Sequence, residues 1–232
     1  MAKFIVELEH VDFSARPFDC VLVKFNSELY NDDLFQRWQL SNLIASNNAS
    51  VIRKAEFLAG RYCAKTLLLK FGSANFEVIP GPHRQPLWPE GFTGSITHNK
   101  NYAGAAIFET GSQSGVGIDI EEQVSEKTFN EIKHQILNDC ELNYIRQCTE
   151  EMKLMSFTLI FSVKEAFFKA IFPYHKEYFG FDAITVNGID LKSKTIHFTV
   201  EMPFNNLRDI RGKHFAFFEL LDHKTYLTMF TF

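Results

Sequence analysis

The sequence predicts an α+β fold built from two similar α/β subdomains, one in each half of the chain. Each half contains one long helical pattern and several short strand patterns. A polar segment rich in glycine and serine, residues 109–115, separates the halves and is typical of a domain boundary. We therefore expect an N-terminal subdomain over residues 1–112 and a C-terminal subdomain over residues 113–232.

The composition is that of a globular protein. The chain has 232 residues, 46% of them hydrophobic, and 25 phenylalanines that we expect to fill the core. The net charge of −4 lacks the basic excess typical of nucleic-acid binding. The four cysteines are widely spaced, and the chain has neither an N-terminal apolar leader nor an apolar run of about 20 residues. We expect reduced thiols and a cytoplasmic protein.

The first half is predicted to form strands around one long helix. Strand patterns occupy residues 18–25, 76–79 and 102–108, and residues 31–33 are suited to cap a short helix. Residues 51–71 have apolar side chains at three- and four-residue spacing, which indicates a helix with one buried face. Residues 80–86 predict a stiff turn, and residues 94–100 predict a polar loop.

Basic residues on the long helix point to an anion. Arg53 and Arg61 are eight residues apart, so they lie on neighbouring stripes about 12 Å apart along the axis. Such a pair could bracket one large anion, or it could belong to an ordinary solvated face. The loop that holds Thr97 and His98 offers further phosphate donors, although such residues are also common on surfaces.

The second half is predicted to begin with a strand that carries two acids. Val116, Ile118 and Ile120 alternate with Gly117, Asp119 and Glu121. A strand puts Asp119 and Glu121 on the same face, where they repel each other unless a cation lies between them. Hard divalent ions such as Mg²⁺ bind oxygen ligands of this kind. The alternative is a pair of ordinary surface acids.

The remaining second half is predicted to form helices and then strands. Helical patterns cover residues 128–137, 139–147 and 151–172, with Pro173 ending the last one. Strand patterns follow at residues 179–186, 195–200, 215–221 and 225–231. Hairpin turns are expected at residues 187–188 and 222–224.

The last helix carries charges in an apolar surrounding. Glu165 and Lys169 are four residues apart and share one face of residues 157–172. They could simply pair with each other. One metal ion bound by Asp119, Glu121 and Glu165, with Lys169 beside its phosphate ligand, would account for both charged clusters.

Taken together, these motifs resemble those of the 4′-phosphopantetheinyl transferases, and among them the enterobactin synthase component D branch. The matching segments are R-K-A-E-F-L-A-G-R at 53–61, G-P-H-R-Q-P-L-W-P at 81–89, G-S-I-T-H at 94–98, G-I-D-I-E at 117–121 and F-S-V-K-E-A-F-F-K at 161–169. The two acidic motifs are specific for the family, and the turn at 81–89 indicates the narrower branch. The first fifty and last sixty residues contribute little.

The resemblance implies the 4′-phosphopantetheinyl transferase fold, a monomeric pseudo-dimer with its site in the cleft between the halves. It also implies a holo-[carrier-protein] synthase. Such an enzyme transfers 4′-phosphopantetheine from coenzyme A to a serine of an apo acyl, peptidyl or aryl carrier protein and releases adenosine 3′,5′-bisphosphate. By branch, the pathway would be non-ribosomal peptide synthesis of a siderophore or another secondary metabolite, such as enterobactin.

The resemblance also assigns roles to individual residues. The positions implied to bind Mg²⁺ are Asp119, Glu121 and Glu165. The positions implied to contact coenzyme A are Arg53, Arg61, Arg84, Thr97, His98 and Lys169. Glu165 is also a candidate general base, Lys169 a catalytic phosphate contact, and His98 and Arg61 are implied to lie near the 3′-phosphate. Thr97 replaces the serine usual in the family and retains the hydroxyl.

Two other functions are compatible with the same residues. A Mg²⁺-dependent pyrophosphate hydrolase would use the three carboxylates with water in place of the carrier serine. A non-catalytic module that binds coenzyme A or a carrier protein would not need them. A degenerate module should have lost at least one of Asp119, Glu121, Glu165 and Lys169, and all four are present.

Overall fold

The computed structural model describes residues 3–11, 19–44, 49–110, 115–204, 207 and 210–232. The chain divides into two compact units, Met1–Val116 and Gly117–Phe232. Each unit combines helices with one main sheet, which confirms the α+β class. The boundary expected between residues 112 and 113 lies outside the described residues.

The first unit places a long helix against a four-stranded antiparallel sheet. Its elements are β1 Ile5–Val11, β2 Asp19–Phe25, α1 Asp33–Arg37, α2 Val51–Lys70, β3 Ile79–Pro80, β4 Pro86–Leu87, β5 Phe92–His98 and β6 Tyr102–Glu109. The sheet order is β1-β2-β6-β5. Buried side chains of α2, β2 and β6 form the core of this unit.

Helix α2 confirms the predicted helix over residues 51–71. Ser50 caps it, because its side chain accepts a hydrogen bond from the Arg53 backbone N–H. Its apolar stripe, which includes Leu58 and Leu67, is completely buried against the sheet. This packing fixes which way the basic residues at the start of the helix point.

In the first unit, one strand was missed and two expectations need correction. Strand β1 had no prediction, and its exposed side chains leave no apolar alternation to detect. The strand expected at residues 76–79 includes only Ile79 of that range, and it continues to Pro80. Residues 94–98 form most of β5 rather than a loop, because this polar segment pairs with the small-residue strand β6.

The second unit places a 26-residue helix against a five-stranded sheet. Its elements are β7 Val116–Glu122, α3 Glu126–Ile136, α4 Asp139–Gln147, α5 Glu150–His175, β8 Ile184–Asp190, β9 Thr195–Val200, β10 Gly212–Leu220 and β11 Thr225–Thr231. The sheet order is β7-β11-β10-β9-β8. The core consists mainly of phenylalanine and aliphatic side chains from α5 and the sheet.

Helix α5 extends further than predicted. Pro173 lies inside its last turn instead of ending it, and the helix stops where Lys176 takes a left-handed conformation, φ +64°. Proline removes one backbone donor from the helix, and the buried side chains of Ile171, Phe172 and His175 keep this turn packed, so the helix continues for two residues past it. Most of α5 is buried, as its nearly continuous apolar sequence indicates.

The region of β8 was predicted incorrectly. The strand expected at residues 179–186 begins only at Ile184, after a 3₁₀ turn at Phe181–Ala183. The expected hairpin turn at residues 187–188 is instead a register shift within β8, between Val186 and Gly188. The other predicted strands, β9, β10 and β11, and the turn at residues 222–224 are confirmed.

Strand β7 approaches α5 so closely that only glycine fits at residue 117. A Cβ built on Gly117 would lie 1.7 Å from the backbone oxygen of Ala166 and 2.7 Å from the Ala170 nitrogen. Both atoms belong to the helix backbone, which cannot move aside as a side chain can. Gly117 therefore sets the distance between the strand that carries Asp119 and the helix that carries Glu165.

We expect Gly117→Ala to lower the free energy of unfolding by about 3 kcal/mol, because the new methyl group overpacks this contact. Urea unfolding would measure the change. Gly188→Ala is the matched control, since a Cβ there meets nothing within 4 Å and the expected change is about 0.5 kcal/mol or less. Equal stability of the two variants would contradict the close approach.

The structure also bears on the cysteines and on the length of the apolar helices. All four cysteines are free, and burial raises the pKa of the Cys20 thiol to about 12 and that of Cys63 well above its usual value. Among the helices within the described ranges, none is both long enough and apolar enough to cross a membrane.

Candidate functional site

A cavity of about 230 Å³ in the first unit collects most of the basic residues that the sequence singled out. Arg53, Arg61, Arg84 and His98 all border it. The other lining residues are Leu43, Ile44, Ala49, Phe57, Gly60, Pro80, Pro86 and Ile96. Cationic groups therefore face a partly apolar pocket, which suits an anionic ligand that also has an apolar part.

Arg61 is a buried cation that lacks a full set of partners. The residue is 9% exposed, and its Nε is the buried side-chain nitrogen or oxygen that has no hydrogen-bond partner within the described residues. Its Cζ lies 4.5 Å from the centre of the Phe57 ring. Burial and then the nearby charge of Arg53 lower the pKa of Arg61 to about 10. An anion in the pocket would relieve both effects.

Arg53 and His98 contact each other at the mouth of the same pocket. Arg53 Nη1 lies 2.6 Å from His98 Nε2. Glu56, one turn further along α2, has its Oε2 atom 3.3 Å from Arg53 Nη1 and 3.4 Å from His98 Nδ1. Glu56 belongs to the R-K-A-E-F-L-A-G-R segment, but no sequence pattern singled it out as a site residue.

Arg84 reaches the pocket from the tight turn between β3 and β4. Its own backbone has φ +63°, a conformation that non-glycine residues rarely adopt. Hydrogen bonds from Gly81 N to Gln85 O, 2.8 Å, and from Arg84 N to Gly81 O, 2.9 Å, hold the turn. The proline-rich segment thus forms the stiff turn that was predicted and places Arg84 beside the pocket.

Thr97 is not brought to this pocket. It is buried in β5, where it alternates with Ile96 and His98, and these two residues line the cavity while Thr97 does not. Neighbouring residues of a strand point to opposite faces, so the Thr97 hydroxyl lies on the other side of the sheet. The contact between Thr97 and coenzyme A stays a prediction.

In the second unit, Asp119 is buried and already holds two partners. Its Oδ2 accepts a hydrogen bond from Ser162 Oγ at 2.8 Å, and its Oδ1 accepts one from Lys169 Nζ at 2.6 Å. Ser162 Oγ also lies 2.6 Å from Thr228 Oγ1 on β11. Asp119 and its neighbouring acid therefore face α5, while Ile118 and Ile120 are buried outside the core around α5.

The charge of Asp119 affects the pKa values of the other two predicted metal ligands, Glu121 and Glu165. Burial and then the charge of Asp119 raise the pKa of Glu121 to about 8, and Glu165 adds to this effect while Lys169 opposes it. The same two causes raise the pKa of Glu165, and Lys169 again opposes the change. Asp119 disfavours the ionisation of both neighbouring carboxyl groups, which indicates a place where a cation would be stabilising.

These residues are chemically suited to bind a divalent ion, but their side chains are not arranged around a common point. Carboxylate oxygens are the ligand type that Mg²⁺ prefers, and the set carries more negative charge than Lys169 balances. As they stand, however, no three acidic, histidine or cysteine side chains in the described part of the chain converge closely enough to hold a metal ion. Lys169 Nζ lies 2.6 Å from Asp119 Oδ1, so Lys169 forms an ion pair across to β7.

Glu165 also borders a second, mostly apolar cavity of about 170 Å³. The other lining residues are Lys164, Phe167, Phe168, Phe179, Gly180, Phe181, Ala183 and Ile184. The cavity could receive a neutral, extended group beside the carboxyl group. Its walls come from α5 and from residues 179–184. Residues 179–184 belong to the last sixty residues of the chain, which contribute little to the sequence resemblance.

Lys164 forms a buried ion pair that the sequence did not reveal. Its Nζ donates to Glu141 Oε2 at 2.6 Å and to the Ile136 carbonyl oxygen at 2.9 Å. Glu141 also accepts hydrogen bonds from the Asn138 and Val186 backbone N–H groups. The partner is 23 residues away in the chain, beyond the reach of helical spacing. This network anchors α5 at the residue next to Glu165.

Comparison with known families covers both units. Residues 41–108 match the model of the 4′-phosphopantetheinyl transferase N-terminal domain, and residues 115–225 match that of the 4′-phosphopantetheinyl transferase superfamily. The two matches adjoin the expected boundary and include every candidate site residue.

Individual relatives agree with the family models. Enterobactin synthase component D of Salmonella typhi is 36% identical over 147 residues, which are 62% of this chain and 59% of the relative. That of Escherichia coli O157:H7 is 38% identical over 120 residues, 51% of this chain and 54% of the relative. The matches thus span somewhat more than half the length of these relatives. The 4′-phosphopantetheinyl transferase PptT of Mycobacterium tuberculosis is 30% identical over 166 residues, 67% of each chain.

Proposed function

Because this chain belongs to the 4′-phosphopantetheinyl transferase superfamily, in the enterobactin synthase component D branch, we propose that it transfers 4′-phosphopantetheine from coenzyme A to a carrier protein. The acceptor is a serine hydroxyl of an apo acyl, peptidyl or aryl carrier domain, and adenosine 3′,5′-bisphosphate is released. By similarity to its named relatives, the chain serves a synthetase for a siderophore or a related metabolite. We further propose that it acts as a monomer in the cytoplasm.

This proposal rests on Arg61, a buried cation at the pocket of the first unit that lacks a full set of hydrogen-bond partners. Arg61 is buried, its Nε lacks a hydrogen-bond partner, and Arg53 and Arg84 border the same cavity. Three guanidinium groups repel one another unless an anion joins them, and arginine forks match phosphate geometry. The 3′-phosphate of coenzyme A is the group that we assign to this pocket.

The second unit supplies the groups for the transfer itself. The serine oxygen attacks the pyrophosphate phosphorus that bears pantetheine, and the bond from this phosphorus to the leaving adenosine phosphate oxygen breaks. Glu165 accepts the serine proton, since a serine hydroxyl becomes a good nucleophile only when a base within reach takes its proton. Lys169 turns from Asp119 to the phosphate and stabilises its charge.

Asp119, Glu121 and Glu165 would hold Mg²⁺ together with the pyrophosphate. When bound, this ion supplies positive charge that stabilises the negative charge developing on the leaving group. The apolar cavity beside Glu165 suits the pantetheine arm, which is neutral and extended. Ser162 orients Asp119 by its hydrogen bond to Oδ2.

The reaction can be tested by intact-protein mass measurement. Apo peptidyl and aryl carrier proteins are incubated with this protein, coenzyme A and Mg²⁺. We expect the carrier to gain the mass of one phosphopantetheine group, and EDTA to prevent the gain. A carrier whose acceptor serine is replaced by alanine is the control and must stay unmodified.

The alternatives predict different products. Release of free phosphopantetheine in the absence of any carrier would favour the pyrophosphate hydrolase. Binding of coenzyme A without modification of any of several carriers would favour a binding module. Either result would contradict the transferase.

A further inference from the structure

Glu56 is a carboxylate placed between two groups that the pocket of the first unit offers to phosphate. One of its oxygens, Oε2, lies 3.3 Å from Arg53 Nη1 and 3.4 Å from His98 Nδ1. Its side chain is 16% exposed, so solvent screens these contacts only in part. Glu56 itself is not among the residues that line the cavity. It contacts both groups without lining the cavity.

The contact between Arg53 and His98 fixes how the protons are arranged. An arginine N–H can only donate, so His98 Nε2, at 2.6 Å, must accept. The ring proton then lies on Nδ1, the nitrogen that faces Glu56. In this arrangement His98 is neutral, and its Nε2 presents a lone pair rather than a proton. A phosphate oxygen would be repelled by that lone pair.

Arg53 and Arg61 therefore differ in how free their guanidinium groups are to bind an anion. Arg61 is buried with an Nε that has no partner, so it is prepared for an anion. Arg53 is engaged with both Glu56 and His98. A phosphate that recruits Arg53 has to displace the Glu56 carboxylate from it, because both anions use the same guanidinium donors.

We propose that Glu56 is an internal competitor for the phosphate at this pocket and lowers its affinity for a nucleotide 3′-phosphate. The inference rests on the proposed function, since it deepens the role assigned to the same pocket. Glu56 replaces the phosphate on Arg53 once the adenosine bisphosphate product leaves. It thus favours product release, and a ligand without a 3′-phosphate leaves the Glu56 contacts intact.

The test compares two nucleotides by titration calorimetry with the wild-type protein and with Glu56→Gln. Adenosine 3′,5′-bisphosphate carries the 3′-phosphate, and adenosine 5′-monophosphate lacks it. We expect Glu56→Gln to bind the bisphosphate about 5- to 10-fold more tightly, the effect of removing one negative charge beside a phosphate. The monophosphate affinity should stay within about twofold. In turnover, KM for coenzyme A and kcat should both fall.

The control is Glu131→Gln on α3, which removes the same charge from an exposed helical ion pair with Lys127. It should leave both affinities unchanged. Glu56→Ala removes the charge without adding an amide and must act in the same direction as Glu56→Gln. It also replaces Glu56→Gln if that variant does not fold.

Each outcome separates the two proposals. If the wild-type protein prefers the bisphosphate but Glu56→Gln binds it equally or more weakly, the competitor role is overturned while the pocket assignment stands. Weaker binding would mean that Glu56 instead supports a protonated His98. If the wild-type protein does not distinguish the two nucleotides, both the pocket assignment and the role of Glu56 are overturned.

Discussion

Asp119→Asn is expected to slow phosphopantetheine transfer by about 10²- to 10³-fold, the usual loss when a group that stabilises developing charge is disabled. The amide has the same shape as the carboxyl group and can still accept the hydrogen bond from Ser162. It cannot offer a negative charge to Lys169 or to a bound cation. The initial rate of carrier modification, measured by intact mass over time, gives the magnitude.

The fold should survive this substitution. Lys169 is 27% exposed at its side chain, so loss of its partner does not leave a charge sealed in the core. The unfolding midpoint should therefore stay close to that of the wild-type protein. Asp139→Asn, an exposed position at the start of α4, is the control and should retain full activity. Transfer by Asp119→Asn at a near wild-type rate would refute the metal assignment.

The second large effect concerns Arg61, where function and stability are expected to move in opposite directions. Arg61→Met keeps an unbranched stem against Phe57 but removes a buried cation that lacks a full set of partners. Burying such a charge costs free energy, so the ligand-free variant should be more stable by about 1 kcal/mol. Adenosine 3′,5′-bisphosphate should bind at least about 100-fold more weakly, because a charged hydrogen-bond partner is lost.

Urea unfolding with and without the bisphosphate measures both effects in one series. The ligand should raise the unfolding midpoint of the wild-type protein and leave that of Arg61→Met almost unchanged. Arg146→Met on α4 is the control, because its guanidinium is exposed and bonded only locally to Asn143. A ligand-free Arg61→Met protein less stable than wild type would show that Arg61 is a structural rather than a ligand-binding cation.

The sequence predicted those elements whose pattern is local. Helix α2 follows from apolar periodicity, α5 from a long and nearly continuous apolar run, and β9 and β11 from strand composition between turns. Asn187 and Gly188 resemble a hairpin turn, yet pairing with β9 makes them a bulge within β8. That outcome depends on a partner strand and cannot be read from the dipeptide itself.

In the candidate site, too, the local motifs could be predicted, and the contacts that depend on a second element could not. Arg53, Arg61, Arg84 and His98 were predicted from motifs, and the fold brings all four to one cavity. Thr97 was predicted on the same basis but does not line the cavity, because most of the loop expected at residues 94–100 is a strand with alternating faces. The pairing of Lys169 with Asp119 depends on how β7 and α5 meet, which spacing along one helix does not determine.

The buried pair of Lys164 and Glu141 makes the second unit cooperative. Its charges are compensated only when the end of α3, the start of α4, the middle of α5 and β8 are all in place. A partly open state with β8 detached would leave Glu141 short of the Val186 N–H in a low-dielectric surrounding, so its free energy is high. Glu165 follows Lys164 directly in the chain. The candidate base therefore belongs to a part of the unit whose local opening costs a large free energy.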